Sequence, residues 1–269
     1  MSILSLVLKA AAPIPRLDSF SRYLFIGPHP DDIEIGCGAT VSKLASMGKV
    51  ISFLICLDGR YGLDYAPKGT TPEQLISIRK AEAIESARRL GVDDVHFLDY
   101  SDGGFYDVTA LRASIAVQVG LFRPNVIFCV DPDVPNECHI DHINVGKQAK
   151  IIANFAPNKE IMAKYGASSA KVNAIALYMT AKPNKFVGTR GHLQKQLDAI
   201  FNVHLSQFPK DCPMAQSITK YLKLRSFFFG LRSLKGAAEG FRVIDETHMH
   251  CLPEEAWSSA FSLYNITPT

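Results

Sequence analysis

The stretch Tyr23-Leu24-Phe25-Ile26-Gly27-Pro28-His29-Pro30-Asp31-Asp32-Ile33-Glu34-Ile35-Gly36-Cys37-Gly38 decides the fold. It opens as an uninterrupted apolar run, without the in–out alternation of a strand that has one wet face. Such a run suits a strand covered on both sides, as in a parallel sheet. It then breaks at Gly-Pro into a short polar loop. A helix is expected from about Cys37 to Met47, with Gly48 as its stop.

The same alternation continues outward. Val50 to Leu57 is a second continuous apolar run. The loop from Asp58 to Thr71 is long and rich in Gly and Tyr, and loops of that length inside a domain are usually functional. Thr71, Pro72 and Gln74 form a capping-box start for a helix that runs to Leu90 and stops at Gly91. Strands are predicted at 95–98, 125–130 and 174–179, with helices over 109–122 and 141–155 between them. Strands alternating with helices predict an α/β fold, a Rossmann-like, doubly wound, mostly parallel sheet with helices on both faces. Leu193, Leu197, Ile200, Phe201 and Leu205 keep helical spacing. The stretch Lys220 to Lys235 mixes basic residues with Phe227-Phe228-Phe229 and suits packing on its own domain or on a partner subunit. The predicted organisation is therefore an α/β domain over 1–208 and a mostly helical extension over 209–269.

Composition narrows the function classes. Of 269 residues, 47% are apolar and 20% charged, an ordinary globular balance that excludes wholesale disorder. The net charge, 29 − 26 = +3, is too small to point to nucleic acid as a partner. None of the six cysteines forms a C-x-x-C pair, which suggests reduced thiols and a cytoplasmic protein. The apolar start Met1 to Ala12 lacks the basic flank of a signal peptide, and no stretch reaches the roughly 18 apolar residues of a membrane span.

Open α/β sheets place ligands beyond the carboxyl ends of their strands. There this chain carries Pro28-His29-Pro30-Asp31-Asp32 after the first strand, Asp99 to Gly104 after the third, and Asp131-Pro132-Asp133 with Asn136-Glu137-Cys138-His139-Ile140-Asp141-His142 after the fourth. His29 with Asp32, and His139 with His142 three residues apart at a helix start, supply the nitrogen and carboxylate ligands that a divalent metal accepts. A bound metal lowers the pKa of water from 15.7 to about 7. Of the adjacent Asp31 and Asp32, one can bind metal while the other takes a proton, and a spare histidine can act as acid or oxyanion donor. Each feature alone has a plainer explanation: a satisfied turn histidine, or an aspartate capping a helix. Their convergence on one sheet edge favours the metal. Gly36-Cys37-Gly38 lacks the third glycine of a dinucleotide loop, and Cys37 between small residues suits close helix packing better than nucleophilic chemistry.

Pro28 to Gly38 together with His139-Ile140-Asp141-His142 resembles the LmbE-like (PIG-L) family of zinc-dependent de-N-acetylases, and within it the diacetylchitobiose deacetylases. The resemblance runs from about Tyr23 through His204-Leu205-Ser206-Gln207. It implies hydrolysis of the N-acetyl group of an N-acetylglucosamine-containing small molecule, with zinc (ferrous iron has the same ligand requirements) on His29, Asp32 and His142. Asp31 would be the general base, and His139 would assist the intermediate or protonate the amine. Arg79 and Asp102 match sugar-binding positions. Glu137 stands where some relatives carry an oxyanion-donating Tyr. In hexameric relatives a neighbouring subunit lends a histidine from near its C-terminus, a part open here to His248 or His250, so a homo-oligomer is expected. Arg60, Tyr61 and Tyr65, in the long loop, are expected to contact whatever the amino sugar carries. The alternatives are hydrolysis of another linear amide, such as a thiol conjugate, and a non-catalytic sugar-binding protein.

Overall fold

The computed structural model describes residues 10–210 and 212–249. Seven strands form the sheet: β1 (Arg22–Gly27), β2 (Val50–Leu57), β3 (Asp94–Tyr100), β4 (Val126–Val130), β5 (Ala174–Tyr178), β6 (Lys185–Gly188) and β7 (Ala238–Asp245). The helices are α1 (Asp32–Ser46), α2 (Pro72–Leu90), α3 (Val108–Phe122), α4 (Ile140–Phe155), α5 (Lys159–Lys164), α6 (Leu193–Phe201) and α7 (Pro213–Ser233). The strand order is β3-β2-β1-β4-β5-β7-β6. The first five strands pair in parallel, and β7 pairs antiparallel with β5 on one side and β6 on the other.

This order fixes where a ligand can sit. The chain winds outward from β1 through β2 to β3, then returns to the other side of β1 to make β4. The loops leaving β1 and β4 therefore part in opposite directions and open a crevice at the carboxyl edge. Beneath it the core is tightly filled. Phe25 of β1 stacks on Phe128 of β4 with ring centroids 4.4 Å apart, and Phe241 of β7 meets Phe128 edge-on at 5.1 Å. Tyr178 is fully buried and its hydroxyl donates to the Ile26 carbonyl, tying β5 to β1.

Helix α1 begins five residues before the predicted Cys37 and is kinked there (φ −154°, ψ 22°). The carbonyls released at the kink are not left dry. Gln196 Nε2 donates to the Glu34 and Ile35 carbonyls, and Arg225 Nη2 to those of Ile35 and Gly36. Such external donors are what let a helix bend without losing hydrogen bonds. Gly36 is required at this bend, because a Cβ would stand 2.3 Å from the Tyr178 ring. Burial pushes the Cys37 thiol well above its usual range, and its Sγ contacts the Ile33 carbonyl, so it packs rather than reacts.

The segment after residue 208 is mostly helical among the described residues, as expected, but it also adds a strand. It gives α7 and then β7, which lies inside the sheet. The polar residues of β7 hid it from pattern reading, yet they are satisfied: Glu239 accepts from the backbone N–H groups of Ala39 and Thr40, and Arg242 pairs with Asp131 and Asp133. Helix α7 buries Leu222, Ser226 and Gly230 and leaves Tyr221, Leu224, Phe228 and Leu231 exposed. Among the described residues no helix is long and apolar enough to cross a membrane.

Candidate metal centre

Asp32 is the pivot of the crevice. Its Oδ2 accepts from the His29 backbone N–H at 2.8 Å, which closes the tight loop between β1 and α1. The same oxygen lies 3.2 Å from His29 Nδ1, and Oδ1 lies 3.4 Å from His142 Nε2 on the first turn of α4. Two ligands at about 2.0–2.1 Å from a tetrahedral ion stand about 3.3–3.4 Å apart. Asp32 thus stands at neighbouring-ligand spacing from each imidazole, and one ligand atom from each of the three residues lies within 4.8 Å of the others.

The outer nitrogen of each imidazole is also engaged. His29 Nε2 lies 3.1 Å from Asp141 Oδ2, and His142 Nδ1 lies 3.0 Å from Glu137 Oε2. A carboxylate on the far nitrogen keeps the proton there, which leaves His29 Nδ1 and His142 Nε2 as the lone-pair atoms facing Asp32. The centre attracts positive charge. Burial alone would lower the pKa of both histidines, but hydrogen bonds donated to Asp141 and Asp32 bring His29 up to about 10, and the Asp32 carboxylate brings His142 up to about 9. Burial would raise the pKa of Asp32, yet His142 and His29 pull it well below the carboxylate range. The donor set therefore fits a divalent cation, which would take the place of those protons.

A second grouping, His29 with His139 and Asp141, is equally compact. It is the poorer site, because the Asp141 oxygens already accept from the N–H groups of Gly103 and Gly104 and from the Tyr106 hydroxyl. Those bonds, with His29, bring the fully buried Asp141 down to about 2 against the opposing effect of burial.

Asp31 sits at the N-cap of α1, but its side chain makes no capping bond. Its Oδ2 instead accepts from Arg79 Nη2 at 3.0 Å. Arg79 is buried, and its Nη1 donates to the Gly59 carbonyl, so it braces Asp31 and the long loop rather than standing open to solvent. His139 stacks on His142, with centroids 4.8 Å apart, and its side chain is 49% exposed. Its Nδ1 accepts from the Asp141 backbone N–H, which leaves Nε2 as the N–H donor of the neutral ring. Burial and the two neighbouring histidines lower its pKa.

Asp102 is buried. Its Oδ2 accepts from the Tyr61 backbone N–H at 3.3 Å, while Oδ1 has no partner among the described residues. Burial raises its pKa. Arg60 is folded back onto Asp58, with Nε 2.9 Å from Oδ2. His248 is paired with Asp245, next to the last sheet strand, and His250 lies outside the described residues. Residue-type reasoning named His29, Asp31, Asp32, His139 and His142 and missed Asp141 and Glu137 as their supports. The signal was available: a ligating imidazole has a second nitrogen that needs an acceptor, and two acids stand within five residues of His142.

The chain matches the family model described as "PIG-L: GlcNAc-PI de-N-acetylase" over residues 24–153. It is 31% identical over 238 residues to the diacetylchitobiose deacetylase of Thermococcus kodakarensis, covering 86% of each chain. The chain belongs to the PIG-L family. Within that family it is also 36% identical over 163 residues to a 1D-myo-inositol 2-acetamido-2-deoxy-alpha-D-glucopyranoside deacetylase of Kineococcus radiotolerans, a match spanning 50% of this chain and 45% of the relative. Among solved structures it superposes on N,N'-diacetylchitobiose deacetylase from Pyrococcus horikoshii with a TM-score of 0.80 and 28% identity, covering 94% of this chain and 97% of the other. The fold extends beyond the PIG-L deacetylases: the 4-carboxy-2-hydroxymuconate hydratase of Pseudomonas putida superposes with a TM-score of 0.70 at 16% identity. Fold alone therefore does not name the reaction, and the side chains of the crevice must.

Proposed function

We propose that this PIG-L member is a metal-dependent hydrolase that removes the N-acetyl group from an N-acetylglucosamine-containing saccharide of the diacetylchitobiose class. The observation that carries this reading is the spacing of His29, Asp32 and His142 around a common centre, with a second carboxylate, Asp31, beside it. The relative that spans most of the chain acts, by its name, on diacetylchitobiose. His29 Nδ1, Asp32 and His142 Nε2 would hold the metal, zinc or ferrous iron. When bound, the metal supplies Lewis acidity toward the acetyl carbonyl and lowers the pKa of water.

The chain's own groups do the remaining work. Asp31 accepts the proton of the attacking water, and Arg79 holds its carboxylate in place. His139 offers its Nε2–H toward the developing negative charge on the acetyl oxygen, which compensates for Glu137 at the position of an oxyanion-donating Tyr. The proton held by Asp31 then passes to the departing amine. Asp102 Oδ1, buried without a partner among the described residues, accepts a sugar hydroxyl, and an analogue lacking that hydroxyl would leave it unpaired at a cost. We further propose a cytoplasmic setting, supported by the lack of any disulfide among the described cysteines, and self-association through the exposed face of α7.

The test is release of free amine from N-acetylglucosamine, diacetylchitobiose and N-acetylglucosaminides by zinc-loaded protein. Turnover of at least one, abolished by a chelator and restored by metal, is expected. No release from any of them with metal demonstrably bound would reject the proposal.

A further inference from the structure

Two aromatic side chains at the mouth of the crevice are left in water. Phe105 is 74% exposed and Tyr61 53%, and their rings meet edge-to-face with centroids 6.0 Å apart at 80°. Edge-to-face contact leaves one ring face free. Their positions are fixed from below by the groups that build the centre. Gly103 and Gly104 both have positive φ, 78° and 81°, and this left-handed double turn folds Phe105 back over Gly103. A Cβ on Gly103 would stand 3.1 Å from the Phe105 ring and 3.7 Å from that of Tyr61. The Gly103 N–H donates to Asp141, which touches His29. On the other side the Tyr61 N–H donates to Asp102, and Gly62 packs on Arg79, which holds Asp31. Each aromatic residue is thus linked through one or two intermediates to a metal-site imidazole or to the base.

We infer that Tyr61 and Phe105 are specificity-determining residues: together they form the platform that receives the sugar ring attached to the reacting N-acetylglucosamine. This rests on the deacetylase reading above and sharpens it, since it makes a disaccharide or longer saccharide the preferred substrate class over a free monosaccharide. A pyranose presents a face of axial C–H groups that packs on an aromatic face while its equatorial hydroxyls stay in water, which suits a half-exposed aromatic rim. The reacting ring is held deeper, where Asp102 Oδ1 awaits a hydroxyl.

The experiment compares wild type, Phe105→Ala, Tyr61→Ala and Phe105→Trp on N-acetylglucosamine and on diacetylchitobiose, with thermal unfolding and gel filtration as checks. For diacetylchitobiose, KM should rise about tenfold in either alanine variant, with kcat within about twofold. For the monosaccharide both constants should stay within about twofold, and Phe105→Trp should restore the disaccharide KM. If wild type turns over both sugars and the alanine variants lose nothing, or lose equally on both, the platform is wrong while the deacetylase reading stands. If wild type turns over neither, both fall. An altered oligomeric state in Phe105→Ala would make the rim a subunit contact and also overturn the platform.

Discussion

The centre of the crevice and its rim are built on opposite terms. In the centre Asp32, His29, His142 and Asp141 are largely or wholly buried, and each is held by at least two partners. At the rim Tyr61 and Phe105 hang from the loops after β2 and β3, with little to hold their rings except each other. A buried, fully bonded cluster fixes geometry, as metal binding and proton transfer demand. An exposed aromatic pair leaves the choice of bound group adjustable without disturbing the chemistry beneath. The difference teaches that damage at the centre should appear in kcat and metal affinity for every substrate, whereas damage at the rim should appear in KM for some substrates only.

The largest effect is expected from Asp31→Ala. It removes the proposed proton acceptor but none of the three proposed ligands, so kcat should fall about 10²–10⁴-fold with metal content unchanged by elemental analysis. Loss of metal in that variant would mean that the division of labour between the adjacent aspartates is misassigned. Next comes Asp141→Asn. The amide cannot accept from His29 Nε2 and from the Gly103 and Gly104 N–H groups together, so zinc affinity by competitive titration should fall about 10–100-fold. Gly103 shares the oxygen that faces His29 and packs under Phe105, so it loses its bond together with His29, and this variant should raise the disaccharide KM too and link the two regions. Glu137→Gln should be milder, about tenfold or less in zinc affinity, because an amide oxygen can still accept from His142 Nδ1 without the charge. If Glu137→Gln instead left metal affinity intact and altered kcat alone, Glu137 would act on the substrate and not on its neighbouring imidazole.

Much of this was legible before any coordinates. The continuous apolar runs of β1, β2 and β4 announced a covered parallel sheet, and the capping box of α2 is present as expected, with Thr71 and Gln74 bonded reciprocally. What stayed hidden depends on contacts distant in sequence. Strand β7 carries Glu239 and Arg242, whose charges read as solvent-facing until Thr40 and Asp131, more than 100 positions away, are brought against them. Strand β6 is only four residues long and too short to show a period. The start of α1 was obscured because its first turn carries the acidic Asp32 and Glu34 and because Cys37 interrupts the helix. At the site the ligand types announced themselves, whereas Asp141 looked like one more acidic helix-start residue. Only the fold shows that it connects His29 to the glycine turn beneath the aromatic rim.

The most direct test is an anomalous-scattering map from a crystal soaked in zinc. A single strong peak is predicted about 2.0–2.2 Å from His29 Nδ1, His142 Nε2 and an Asp32 oxygen, with the Asp31 carboxylate outside bonding distance. A peak between His139 and Asp141 instead, or no peak at Asp32, would contradict the account.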